Sequence, residues 1–60
     1  MKKFKIEIEL ENDAFKPDYT AEVKRILEVI SDKLENGYNN LRILDINGNY
    51  CGYAEIVTEE

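Results

Sequence analysis

Three groupings in the chain hold residue types that do chemistry. Asp45, Asn47 and Asn49 alternate as the first oxygen ligands of a calcium loop do. A helix–loop–helix calcium site also takes Gly at its sixth position and a bidentate Glu at its twelfth. Counted from Asp45, those places hold Tyr50 and Ile56. Asn47-Gly48 between two apolar-rich runs is the strongest short signal for a β-hairpin, and turn chemistry employs the same Asp and Asn side chains. Cys51 is the only cysteine, and the chain has no histidine to activate it. A small apolar residue within a strand is the expectation there. Paired carboxylates do acid–base work only in a pocket that raises one pKa, and a chain this short leaves little room for one. The sequence thus predicts no catalytic residues, no metal site and no cofactor.

The third grouping is acidic. Glu7, Glu9 and Glu11 repeat every second residue, about 6.6–6.8 Å apart on a strand. With Glu28, Asp32 and Glu35 they form a candidate imitation of a phosphate row, which Lys3 and Lys5 on the same strand face interrupt. A solvated surface accounts for the same charges. Thirteen Asp and Glu against eight Lys and Arg give a net charge of −5, which argues against direct binding to nucleic acid or an anionic membrane. No apolar run reaches the roughly 20 residues of a membrane span, and glutamates interrupt the N-terminal stretch before it becomes a signal peptide. A lone thiol without an export signal points to the cytoplasm.

These residues must be positioned by few elements. Phe4, Ile6, Ile8 and Leu10 alternate with Lys3, Lys5, Glu7, Glu9 and Glu11, which predicts a half-buried strand over residues 3–11. Asn12 to Asp18 connects, with Pro17 unable to donate to a ladder and Phe15 tucked against the helix start or a core edge. Val23, Ile26, Leu27, Ile30 and Leu34 recur at helical spacing and predict a helix over 19–36, capped by Asp18 or Thr20 and stopped at Asn36-Gly37. Hairpin strands follow over 41–46 and 49–57. Their turn has two candidate forms. A two-residue turn on Asn47-Gly48 pairs Ile46 with Asn49. A type I turn with a glycine bulge pairs Asp45 with Asn49. The choice decides which hairpin residues share a face. Gly52 marks close packing or a bulge.

One small α+β domain spans residues 1–60, with the order β-α-β-β. Placing the last strand centrally gives a three-stranded antiparallel sheet of order 1-3-2 with the helix on one face. The alternative sets the first two strands side by side. Leu34-Glu35-Asn36-Gly37 at the helix end and Asp45-Ile46-Asn47-Gly48-Asn49 in the hairpin resemble a group of short bacterial proteins of phages and conjugative elements. That resemblance implies a mobile-element origin and carries no activity or functional residue with it.

The hairpin is apolar on both faces: Leu41, Ile43, Ala54 and Ile56 on one, and Leu44, Ile46, Cys51, Tyr53 and Val57 on the other. One helix covers one face, and an exposed apolar face is ordinarily an interaction site unless a bulge returns some of its residues to the core. The reading is a small acidic protein-binding module that antagonises a host protein. Its candidate contact residues are Leu44, Ile46, Tyr53 and Val57, with Glu7 and Glu9 as a polar rim. The alternative is a homodimer through the same open face.

Overall fold

The computed structural model describes residues 1–59. Its elements are strand β1 (Lys2–Ile8), a 3-10 turn (Asp13–Phe15), helix α1 (Thr20–Glu35), strand β2 (Asn40–Leu44) and strand β3 (Tyr50–Thr58). The sheet order is β1-β3-β2 with both pairings antiparallel, as the sequence predicts. The Lys16-Pro17 peptide bond is cis. Among the described residues no helix is long and apolar enough to cross a membrane.

Each element ends for a local reason. Asp18 Oδ1 accepts the backbone N–H of Thr20 at 2.9 Å and opens α1. At the other end Gly37 has a φ of 91°, Gly37 N–H reaches Leu34 C=O and Tyr38 N–H reaches Lys33 C=O, both at 3.1 Å. This crossed pair satisfies carbonyls the helix would otherwise leave bare. The Lys33 ammonium sits 4.9 Å from the centre of the Tyr38 ring beside it.

The hairpin takes the glycine-bulge form. Gly48 N–H donates to Asp45 C=O at 2.9 Å, Asp45 N–H donates to Asn49 C=O at 2.8 Å, and Gly48 has a φ of 82°. This turn occupies Asp45 to Asn49, so β2 stops at Leu44 rather than residue 46. A second irregularity follows at once. Ile43 pairs with Gly52 but Leu44 pairs with Tyr50, so Cys51 is the extra residue of a bulge. The bulge turns Cys51 away from the open face, where simple alternation puts it, and into the core. Gly52 beside it is required, because a Cβ there would lie 1.9 Å from the Glu7 carbonyl oxygen of β1.

The core consists of Phe15, Ile26, Ile30, Ile43, Cys51 and Ala54, with Ile8, Ala14, Val23, Leu34 and Leu41 packed around it. Phe15 belongs to it at 2% exposure, and the 3-10 turn that carries it packs against α1, one of the two places expected for it. Two expectations need correction. Leu27 is 45% exposed, because the buried line of α1 runs through Glu22, Ile26 and Ile30 and leaves Leu27 to one side. The strand does not run to Glu11: β3 starts at Tyr50, and after the Glu9 N–H bond to Cys51 C=O β1 has no partner strand left. The apolar row of β1 lies on the helix side, yet Phe4 and Ile6 stay 44% and 40% exposed. A helix about 10 Å across covers roughly two strands spaced about 4.8 Å apart, and α1 sits on β2 and β3.

Ile30→Ala is expected to cost about 2–5 kcal/mol, whereas Leu27→Ala should stay within about 1 kcal/mol. Urea melts of the two variants check the order, and equal losses would place the stripe wrongly.

Candidate functional site

Two carboxylates at the hairpin end hold the molecule's polar centre. Asp45 is nearly fully buried. Its Oδ1 accepts the N–H of Asn47 at 2.8 Å and of Asn49 at 3.0 Å, and its Oδ2 accepts Asn12 Nδ2 at 2.9 Å. Both carboxylate oxygens are thus engaged by protein donors. Among the described residues no group of three His, Cys, Asp or Glu is placed to hold a metal ion. Glu22, also buried, takes a two-pronged contact from Arg25, Nε to Oε1 at 2.9 Å and Nη2 to Oε2 at 2.8 Å. Its Oε2 also accepts the N–H of Ile46 at 2.8 Å. The helix start is thereby fastened to the turn.

These contacts shift the acids in one direction. The Arg25 hydrogen bonds hold the Glu22 carboxyl below its usual range, against the opposing effect of burial. The Asn49 N–H does the same for Asp45, again against burial, with help from Asn12 and Asn47. Burial pushes the Cys51 thiol up, and the Asp45 and Glu22 charges push it further. Glu22 was legible as an apolar-stripe member only from its position four residues before Ile26 and eight before Ile30.

The uncovered face of the sheet carries the candidate contact residues. Cross-strand register sets Glu7, Tyr53 and Arg42 in one row and Leu44 opposite Tyr50. Leu44 is 47% and Tyr50 51% exposed, while Tyr53 and Val57 are partly covered. The Arg42 guanidinium lies 5.3 Å from the centre of the Tyr50 ring. Leu44, Tyr53, Val57 and Glu7 therefore share one face, as expected. Ile46 stands apart, at an exposed turn position with its N–H on Glu22, and Glu9 lies one residue beyond β1. Arg42 and Tyr50 join this face without being among the residues expected from the sequence, although the glycine-bulge turn alone places Tyr50 opposite Leu44. Lys3 and Lys5 flank the far end, 3.0 and 3.5 Å from the Glu59 carboxylate. A groove of about 70 Å³ between α1 and β2 is lined by Val29, Ile30, Leu41 and Leu44 among others. Small-molecule pockets are ordinarily about 300–1,000 Å³.

A carboxyl whose pKa is lowered by folding contributes stability that is complete above its unfolded value and is lost as pH falls through the folded one. Unfolded Glu and Asp titrate near about 4.3 and 3.9. The urea midpoint should therefore be level from neutral pH to about pH 5 and fall below about pH 4. Asp45→Asn and Glu22→Gln should be less stable than the parent at pH 7 and lose less on acidification. A parent midpoint that does not fall in acid would contradict the arrangement. Melts in calcium and in chelator should coincide, and a rise of several degrees in micromolar calcium would assign Asp45 to a metal instead.

No family model, curated protein or solved structure matches the chain.

Proposed function

We propose that the protein is a small acidic protein-binding module without catalysis, and that its contact surface is the hairpin end of the open sheet face. One observation carries the reading: Leu44 and Tyr50 stand exposed around Arg42 with Tyr53 beside them. Tyr and Arg are the residues most often found at the energetic centre of protein interfaces, and such centres are depleted in Asp, Glu and Lys. Glu7 and Glu9 border the cluster, and the net charge of −5 favours a partner with a basic rim. The absence of catalysis is supported by the state of the ionisable groups. Burial keeps the Cys51 thiol protonated, and hydrogen bonds hold Glu22 and Asp45 as anions committed to the turn. The likeness of its helix end and hairpin to phage and conjugative-element proteins supports a mobile-element origin, with a host protein as the partner antagonised.

Leu44→Ser and Tyr50→Ser alter exposed positions, so each should change stability by only about 0.5 kcal/mol. The double variant, folded by circular dichroism, should lose a bacterial protein that the parent retains on a column. Retention of the same protein by both, or by neither, would remove the open face from consideration.

A further inference from the structure

We propose that β1 pairs antiparallel with β1 of a second copy of this chain, about a two-fold axis at Ile6. The two sheets then join into six strands in the order β2-β3-β1-β1-β3-β2. This contact uses a different surface from the open-face cluster and does not depend on it.

The first ground is a free edge. Met1 C=O accepts the N–H of Glu59 at 2.7 Å, and Glu9 N–H donates to Cys51 C=O at 2.7 Å. Odd-numbered residues of β1 therefore face β3. The antiparallel ladder alternates, so Lys2, Phe4, Ile6 and Ile8 direct their N–H and C=O groups outward. Such an edge is a template for another strand.

The second ground is the order of charges, which is self-complementary in one register. Lys3 and Lys5 precede Ile6, and Glu7 and Glu9 follow it. Antiparallel pairing centred on Ile6 sets Lys5 opposite Glu7 of the second copy and Lys3 opposite Glu9. On the other face it sets Phe4 opposite Ile8 and Ile6 opposite itself. These even-numbered pairs are the ones whose backbone groups point outward, so ladder and side chains agree. Centring on Lys5 or Glu7 would press like charges together, and centring on Phe4 would set Lys3 against Lys5. The β2 edge offers no equivalent. It is five residues long, and pairing it about its middle puts Arg42 against Arg42.

The third ground is what the axis does to the exposed apolar strip. Phe4 and Ile6, 44% and 40% exposed, lie on the helix side of β1. A two-fold axis perpendicular to the sheet keeps both helices on that side and brings the two strips together. The chain's accessible surface is 4677 Å², against roughly 4,000 Å² for a compact monomer of this mass, so there is excess surface to cover. Within the chain Lys3 and Lys5 meet Glu59, but exposed pairs of that kind are weak and yield to new partners.

Sedimentation equilibrium at rising concentration should show a species of twice 7.0 kDa. Lys5→Glu and Glu7→Lys should each weaken the dimer about tenfold or more, because two symmetry-related pairs turn from attraction to repulsion. An equimolar mixture of the two variants should restore it, as should the double change in one chain. Circular dichroism checks that each variant folds. Should Lys5→Glu unfold, the Lys3→Glu and Glu9→Lys swap tests the same register. A parent that stays monomeric at millimolar concentration overturns the proposal. So does a dimer indifferent to the charge changes, and its loss in Leu44→Ser would assign it to the open face.

Discussion

Asp45 is the residue on which the rest of the architecture depends. Its carboxylate accepts two turn N–H groups, and its main chain closes the turn at both ends. That fixes five residues between β2 and β3, and loop length fixes register. With Asp45 opposite Asn49, Leu44 faces Tyr50, and the bulge at Cys51 then moves Ile43 opposite Gly52. One turn thereby decides that a thiol enters the core and a tyrosine leaves it. Glu22 completes the arrangement from the helix by taking the Ile46 N–H. The buried acids are tolerable because each is surrounded by donors, and Arg25 supplies a compensating charge to Glu22.

Much of this was legible from residue order. Alternation in β1, glycine after α1 and Asn-Gly in the hairpin each specify an element by a mechanism local to a few residues, and the sheet order follows from connection rules. What was not legible depends on area and on bulges. Helical spacing says that Val23, Ile26, Leu27, Ile30 and Leu34 share a side, but not where its midline falls. The midline is set by Glu22 reaching the turn, a contact between distant segments. Alternation likewise says that Phe4 and Ile6 face the helix layer, but not that the layer is one helix wide. The candidate face was read in outline through Leu44, Tyr53 and Val57. Arg42 and Tyr50 joined it only once the turn was known, and Cys51 left it through the bulge.

The outcome is a domain with different unfinished business on its two sides. The helix side is apolar to its edge, and the helix does not reach that edge. The open side is mixed, with Tyr and Arg gathered at the hairpin and charges toward β1. A chain of about this size buries only about 60% of its unfolded surface, and among the described residues six hydrophobic side chains form the buried core. Small domains of this kind are commonly stabilised further by disulfides, metals or association, and a single cysteine forms no disulfide within the chain.

The signs along β1 bear on that point. Folding requires only that positions 3, 5, 7 and 9 be polar, since any solvated side chain satisfies the open face. Mixed lysines and glutamates in any order would serve equally. The actual order changes sign once, at Ile6, and strand β3 does not demand it: Val57 stands opposite Lys3 and Tyr53 opposite Glu7, and Glu55 opposite Lys5 is the single charge match. A sign change at the middle of an edge strand is the pattern that an antiparallel copy of the same strand reads as complementary. The lysines and glutamates that make this register attractive also make its neighbours repulsive. Under the proposed pairing, an antiparallel copy centred on Phe4, Lys5 or Glu7 meets at least one like-charge pair, so the charges favour the register centred on Ile6.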